Sequence, residues 1–191
     1  DGTKEFVNRN GEFTVNIALI KGNAPHVGVV CVPVKERTYV GNTSTMEARV
    51  YSAEGERHAK SRRFSEKPND IKVVASRSHV SDGLRAYLAS LDEIFSSVET
   101  LSMGSSLKLC ALADAEADLY PRLGPTSEWD IAAAHAVLVA AGGQIYVKDG
   151  SPLTYNSKEN ILNPDFIAVG DASFPWAANL PVFPGGLRSV T

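Results

Sequence analysis

Residues 126–143 read TSEWDIAAAHAVLVAAGG. An apolar, alanine-rich run closed by Gly142 and Gly143 predicts a helix that stops at the glycine pair. Asp130 falls early in it, where the positive end of the helix favours a carboxylate. The small side chains that follow allow this helix to pack closely against another element. Outward from it, ADLYPR (117–122) reads as a strand ending at Pro121, and FIAVGD (166–171) as a last strand. GSSLKLCALADAEA (104–117) reads as a helix with Gly104 and Ser105 at its start. IKVVAS (71–76) is a strand, and a short strand is expected near Ser97 to Leu101. Between them Leu84, Tyr87, Leu88, Leu91, Ile94 and Phe95 form an apolar stripe at helical spacing. Strands alternating with helices predict α/β layering for this half.

The first part has a different texture. FTVNIALIKGNAPHVGVVCVPVKERTYVG (13–41) alternates with period two, placing Val15, Ile17 and Leu19 on one face. Gly22 and Asn23 mark a turn, Val27 to Val32 a second strand, and Thr38 to Val40 a third, giving an antiparallel meander. Pro33 is expected at a strand end or edge. EGERHAKSRRF (54–64) mixes both charge signs and reads as a surface hairpin or loop, with a role near an anionic ligand as the alternative. SEKPND (65–70) is the best internal boundary.

The 191 residues, 43% hydrophobic and 21% charged, suit a globular chain with a sizeable core. A net charge of −3 argues against a uniformly basic nucleic-acid surface but allows a local anion pocket. Cys31 and Cys110 stand far apart in apolar runs and read as buried free thiols in a reducing compartment, with a disulfide as the alternative. No stretch reaches the roughly 18 apolar residues of a membrane span. Asp1 in place of a methionine predicts a processed or truncated chain.

Several residues carry candidate chemistry. Asp1 precedes Gly2 and Thr3, where a tight turn and free amides could receive an anion. Asp1 and Asp130 would together offer hard oxygen ligands suited to Mg²⁺ if the fold brings them together; a purely structural Asp130 is equally open. SRSH (76–79) follows a strand, a common place for ligand contacts in α/β folds. GSSLK (104–108) sets Ser105 and Ser106 at a helix start with Lys108 one turn on, a natural phosphate seat. Arg122 sits in the constrained YPRLGPT loop, where its planar fork could grip phosphate. The bland readings are a solvated Lys108, a loop hydrogen bond for His79 and a surface pair for Arg122.

DGTKEF, NGEFTVNIALI, VVASRSH, GSSLKLC and ADLYPRLGPTSEWDIAAAHAVLVAAGG together resemble the bacterial 3'(2'),5'-bisphosphate nucleotidases of the CysQ type, within the inositol-monophosphatase superfamily. The resemblance implies an α/β fold, the layered αβαβα sandwich of that superfamily, with the N-terminal part missing. Residues 1–69 would be the later portion of the first, metal-binding domain, and 70–191 the second, substrate-binding domain. It implies Mg²⁺-dependent hydrolysis of the 3'-phosphate of adenosine 3',5'-bisphosphate, with two or three ions in an intact site. Asp1 and Asp130 would bind metal, Asp1 and Thr3 would be catalytic, and the amides of Gly2 and Thr3 would hold the scissile phosphate. Ser78, His79, Gly104, Ser105, Lys108 and Arg122 would hold the nucleotide. Further carboxylate ligands would lie before Asp1. The implied location is cytoplasmic, with peripheral association at the inner membrane left open, as is oligomeric state. The alternatives are an inositol or sugar monophosphate phosphatase, or an inactive nucleotide-binding fragment.

Overall fold

The computed structural model describes residues 1–76 and 81–184. A short helix α1 (Thr3–Val7) leads into five strands: β1 (Val15–Lys21), β2 (Ala24–Val32), β3 (Arg37–Asn42), β4 (Glu47–Ser52) and β5 (Gly55–His58). They pair antiparallel in sequence order, so the predicted three-strand meander is a five-strand sheet. The charged 54–64 segment supplies half of its last hairpin. Pro33 lies just past β2 and opens a one-turn 3₁₀ helix, Pro33–Lys35, where its missing N–H costs no ladder bond.

The second sheet is mixed. It takes β6 (Asp70–Ser76), β7 (Ser97–Met103), β8 (Leu119–Arg122), β9 (Gln144–Val147) and β10 (Phe166–Val169), in the order β7-β6-β8-β10-β9. The crossovers are α2 (Asp82–Asp92), α3 (Leu107–Ala113) and α4 (Glu128–Ala141), and α5 (Trp176–Asn179) follows β10. The apolar stripe overshoots α2: the helix ends at Asp92, and Phe95 packs its ring from the turn beyond. The β9 strand, QIYV, has no counterpart in the sequence reading, being too short to show a period.

Helices α3 and α4 lie between the sheets. One core joins the inner face of the first sheet (Val30, Val32, Tyr39, Val50) to Val74, Tyr120, Ile145 and Phe166 of the second. The opposite face of the second sheet, with Ile71, Val73, Leu119 and Ile167, packs on Tyr87 and Leu91 of α2 and on Phe174 and Trp176. The described residues thus build four layers: sheet, helices, sheet, helices. The outer face of the first sheet is uncovered among them. There Val15, Ile17 and Leu19 are 53%, 66% and 55% exposed, and they pair across to Cys31, Val29 and Val27. Cys31 is therefore half-buried rather than buried as expected, while Cys110 is buried; both thiols are free.

Contact between α4 and the first sheet depends on two glycines. Gly28 and Gly41 are cross-strand partners on β2 and β3. A Cβ on Gly28 would sit 2.0 Å from the Ala133 carbonyl oxygen, and one on Gly41 2.4 Å from Val137 Cα. The helix backbone rests directly on the pair.

Three arginines from 57–63 tie β5 and the segment after it to carboxylates of the second half. Arg57 grips Asp114 at 2.5 and 2.6 Å, Arg62 meets Asp118 at 3.3 Å, and Arg63 meets Asp171 at 2.6 Å. Those carboxylates are nearly inaccessible, so the basic segment serves internal ion pairs. The half-exposed arginines thus have a structural role, because a buried carboxylate needs a paired cation.

On α4, His135 is buried between Tyr155 and Gln144. Its Nε2–H donates to Gln144 Oε1 at 2.8 Å, and Nδ1 accepts from the Tyr155 hydroxyl at 2.9 Å. Burial pulls its pKa down to about 4. The unfolded chain takes up that proton near pH 6.5 and the folded chain does not, so the contribution present above pH 6.5 is lost as pH falls toward 4. Roughly 3 kcal/mol goes over that window. Urea unfolding between pH 7.5 and 4.5 should show this loss, and His135→Gln should flatten it. A slope unchanged in the variant would assign the loss elsewhere.

Candidate active site

Asp1 is anchored by backbone bonds in both directions with Thr14, just ahead of β1: its N donates to the Thr14 carbonyl at 2.9 Å, and its carbonyl accepts from Thr14 N–H at 3.0 Å. The chain then turns through Gly2 at φ +90°, a left-handed geometry, and a Cβ there would meet Phe13 Cα at 3.0 Å. Glycine alone fits both conditions. Thr3 opens α1, and the amides of Gly2 and Thr3 make no hydrogen bond to protein among the described residues.

Asp130 stands in the first turn of α4. Its Oδ2 accepts the Ser127 N–H at 2.8 Å, capping the helix start. The structural reading of Asp130 is therefore correct as far as it goes, but one oxygen suffices for it.

The two aspartates share a cavity of about 180 Å³ lined also by Glu5, Ser105, Lys108 and Arg122. An adjoining open groove of about 690 Å³ is lined by Asp1, Gly2, Thr3, Asn16 and Asp130. Six of the sequence-predicted residues, Asp1, Gly104, Ser105, Lys108, Arg122 and Asp130, thus meet at one cavity, with Gly2 and Thr3 in the groove beside it. Ser78 and His79 lie outside the described residues.

Lys108 is not a solvated helix lysine. It is 7% exposed, and its Nζ donates to the carbonyls of Ser105 at 2.8 Å and Met103 at 3.3 Å, holding its charge at the cavity wall. Arg122 donates from Nη2 to the Pro125 carbonyl at 2.9 Å, which orients the guanidinium in its loop. Ser105 donates to Asp1 Oδ2 at 2.5 Å and contacts Thr14 Oγ1 at 2.7 Å.

Thr14, Asn16, Lys4 and Glu5 were not read from sequence as site residues. A signal for two of them exists: Thr14 and Asn16 are polar at alternate positions, opposite Val15 and Ile17, where an inner sheet face should be apolar. Lys4 and Glu5 sit on a five-residue helix too short to show a period.

Among the described residues no three His, Cys, Asp or Glu side chains gather to hold a metal ion. The donor set still fits one kind of ion. Asp1 and Asp130 each spend one oxygen on a protein donor and leave Oδ1 without a protein hydrogen bond among the described residues. Two such hard oxygens suit Mg²⁺, which is held through one or two carboxylates, waters and substrate phosphates. They do not suit a zinc site built from three protein ligands.

The fold, two sheets around a helical layer, has known counterparts. The chain belongs to the inositol monophosphatase family, whose model matches residues 1–172. It is 47% identical over 167 residues to the 3'(2'),5'-bisphosphate nucleotidases CysQ of Salmonella typhimurium and of Escherichia coli (strain K12), a match covering 87% of this chain and 63% of each relative. The chain therefore spans just under two thirds of the length of these curated relatives. Among solved structures, CysQ from Bacteroides thetaiotaomicron superposes with a TM-score of 0.79 at 41% identity, covering 88% of this chain and 66% of that one. An inositol monophosphatase from Anabaena gives 0.70 at 24% identity over 90% and 64% of the two chains, which is likeness of fold. No helix among the described residues is long and apolar enough to cross a membrane.

Proposed function

We propose that the protein containing this chain is a Mg²⁺-dependent phosphatase that removes the 3'-phosphate of adenosine 3',5'-bisphosphate, leaving AMP and phosphate. The observation that carries this reading is the single cavity where Asp1 and Asp130 face Lys108 and Arg122. It is supported by the names of the relatives at 47% identity.

In this reading residues 1–69 and 70–191 act as two units that meet at the cavity. Asp1 and Asp130 would hold Mg²⁺. That ion supplies positive charge to the transferring phosphoryl group and to the leaving oxygen. The Gly2 and Thr3 amides point the reaction at one phosphate, donating to oxygens that carry more charge in the transition state. The Thr3 hydroxyl orients the attacking water. Arg122, aided by the charge of Lys108, takes the second phosphate and so selects a bisphosphate over a monophosphate. Two free thiols accord with a reducing, cytoplasmic setting.

The test is Mg²⁺-dependent phosphate release from adenosine 3',5'-bisphosphate beside inositol 1-phosphate. Bisphosphate should be strongly preferred. Arg122→Gln should cut the bisphosphate rate at limiting substrate by about 10- to 100-fold, the worth of a charge-assisted contact, and barely touch the monophosphate rate. Preference for the inositol substrate would overturn the substrate assignment. Equal losses on both substrates would remove Arg122 from selectivity.

A further inference from the structure

Beneath Asp1 lies a line of four side chains whose protons can be counted. Ser105 Oγ contacts Asp1 Oδ2 at 2.5 Å, Thr14 Oγ1 contacts Ser105 Oγ at 2.7 Å, and Ser106 Oγ contacts Thr14 Oγ1 at 2.9 Å. Ser106 Oγ then meets the Asn16 side-chain amide at 3.0 Å. Thr14 and Ser106 are each 3% exposed, so water does not stand in for a missing partner.

Four contacts need four protons, and three hydroxyls supply three. An ionised Asp1 only accepts, so Ser105 must donate to it. Ser105 then accepts from Thr14, and Thr14 accepts from Ser106. The fourth proton has to come from Asn16. With the Asn16 oxygen turned to Ser106, that contact has no proton, and the buried Asn16 Nδ2 is left without an acceptor. Turning the amide by half a revolution puts its NH₂ on Ser106 and supplies the missing proton, since amide orientation follows from the hydrogen-bond network. Ser105 itself sits at φ +53°, unusual for a residue with a Cβ, and its carbonyl is pinned by Lys108. Backbone and side chain both fix its hydroxyl on Asp1.

We propose that Asn16, Ser106 and Thr14 are positioning residues. They form a one-way file of donors, from Asn16 through Ser106, Thr14 and Ser105, that locks the Asp1 carboxylate and leaves its Oδ1 for a divalent cation. The inference rests on Asp1 as a ligand, and its role is to set how tightly that ligand holds the ion. Groups that orient a metal ligand typically change affinity by about 10- to 100-fold when removed.

Two measurements test it. Neutron diffraction from crystals of the protein exchanged into D₂O should show two deuterons on the Asn16 side-chain atom nearest Ser106; an oxygen there overturns the file. Calorimetric Mg²⁺ titration should show binding about 10-fold or more weaker in Thr14→Val and Ser106→Ala, with Thr14→Ser restoring it. Melting temperatures identify any variant that fails to fold, and the neutron map does not depend on a variant. Native Mg²⁺ affinity in a folded Thr14→Val protein, or no rescue by Thr14→Ser, overturns the positioning role. Absence of Mg²⁺ uptake by the unmutated protein would instead sink the ligand reading of Asp1 and Asp130, and the positioning role with it, while the neutron map still decides the donor file.

Discussion

Asp130→Asn should abolish most Mg²⁺-dependent phosphate release while leaving the fold intact. The side chain has two separable tasks. Its Oδ2 caps α4 by accepting the Ser127 N–H, and an asparagine carbonyl oxygen can accept the same bond. What the amide cannot supply is the negative charge by which, in the proposed site, Asp130 and Asp1 would hold a cation. Removing one charge-stabilising group from a hydrolytic site costs about 10²- to 10³-fold, or roughly 3–4 kcal/mol in the barrier. The expected signature is a fall of that size in kcat/KM with a melting temperature near that of the unmutated protein. A variant that keeps its rate would reduce Asp130 to a helix cap. One that loses rate and melts early would report the cap and not the charge.

The largest effect on stability should come from Gly41→Ala, with Gly28→Ala beside it. A methyl on Gly41 would overlap backbone atoms of Val137, and one on Gly28 would overlap the Ala133 carbonyl. Backbone cannot rotate aside as a flexible side chain can. The helix must lift from the sheet, opening the core that Val30, Val50 and Leu138 share. Overpacking ordinarily costs 1–3 kcal/mol, and a backbone clash under the central helix should reach about 3 kcal/mol or more. Because Asp130 stands at the head of α4, lifting the helix also shifts the site. Urea unfolding reads the first consequence and Mg²⁺ titration the second. An alanine variant of native stability would mean that α4 does not rest on this pair.

What these two substitutions separate, charge at a helix start and contact along a helix body, was not equally visible in the sequence. The helix over 126–143 was, because its apolar run and its glycine stop are local properties. The first meander was as well, because alternation with period two survives wherever one sheet face is buried. The last two strands of that sheet were less so: 54–64 reads only as a surface hairpin or loop, because β5 is exposed along its length and no buried face imposes a period on it. Arg57, Arg62 and Arg63 looked like a solvated run because nothing nearby announces Asp114, Asp118 and Asp171.

The candidate site divides in the same way. The amino-acid sequence by itself determined which residue types could do chemistry: an Asp before Gly-Thr, an Asp early in a helix, and Ser105, Lys108 and Arg122 at turns where backbone and charge can meet an anion. The resemblance of those motifs to a family supplied their grouping in advance. Tertiary structure alone decided that Asp1 and Asp130 line one cavity, that Lys108 is a buried cation tied to carbonyls, and that Thr14, Ser106 and Asn16 stand in file behind Asp1. The physical reason is range. Helix signals, turns and strand periods are set by neighbours a few residues apart. Asp1 and Ser105 are separated by 104 positions, and only the packing of α4 between two sheets brings their side chains within a hydrogen bond.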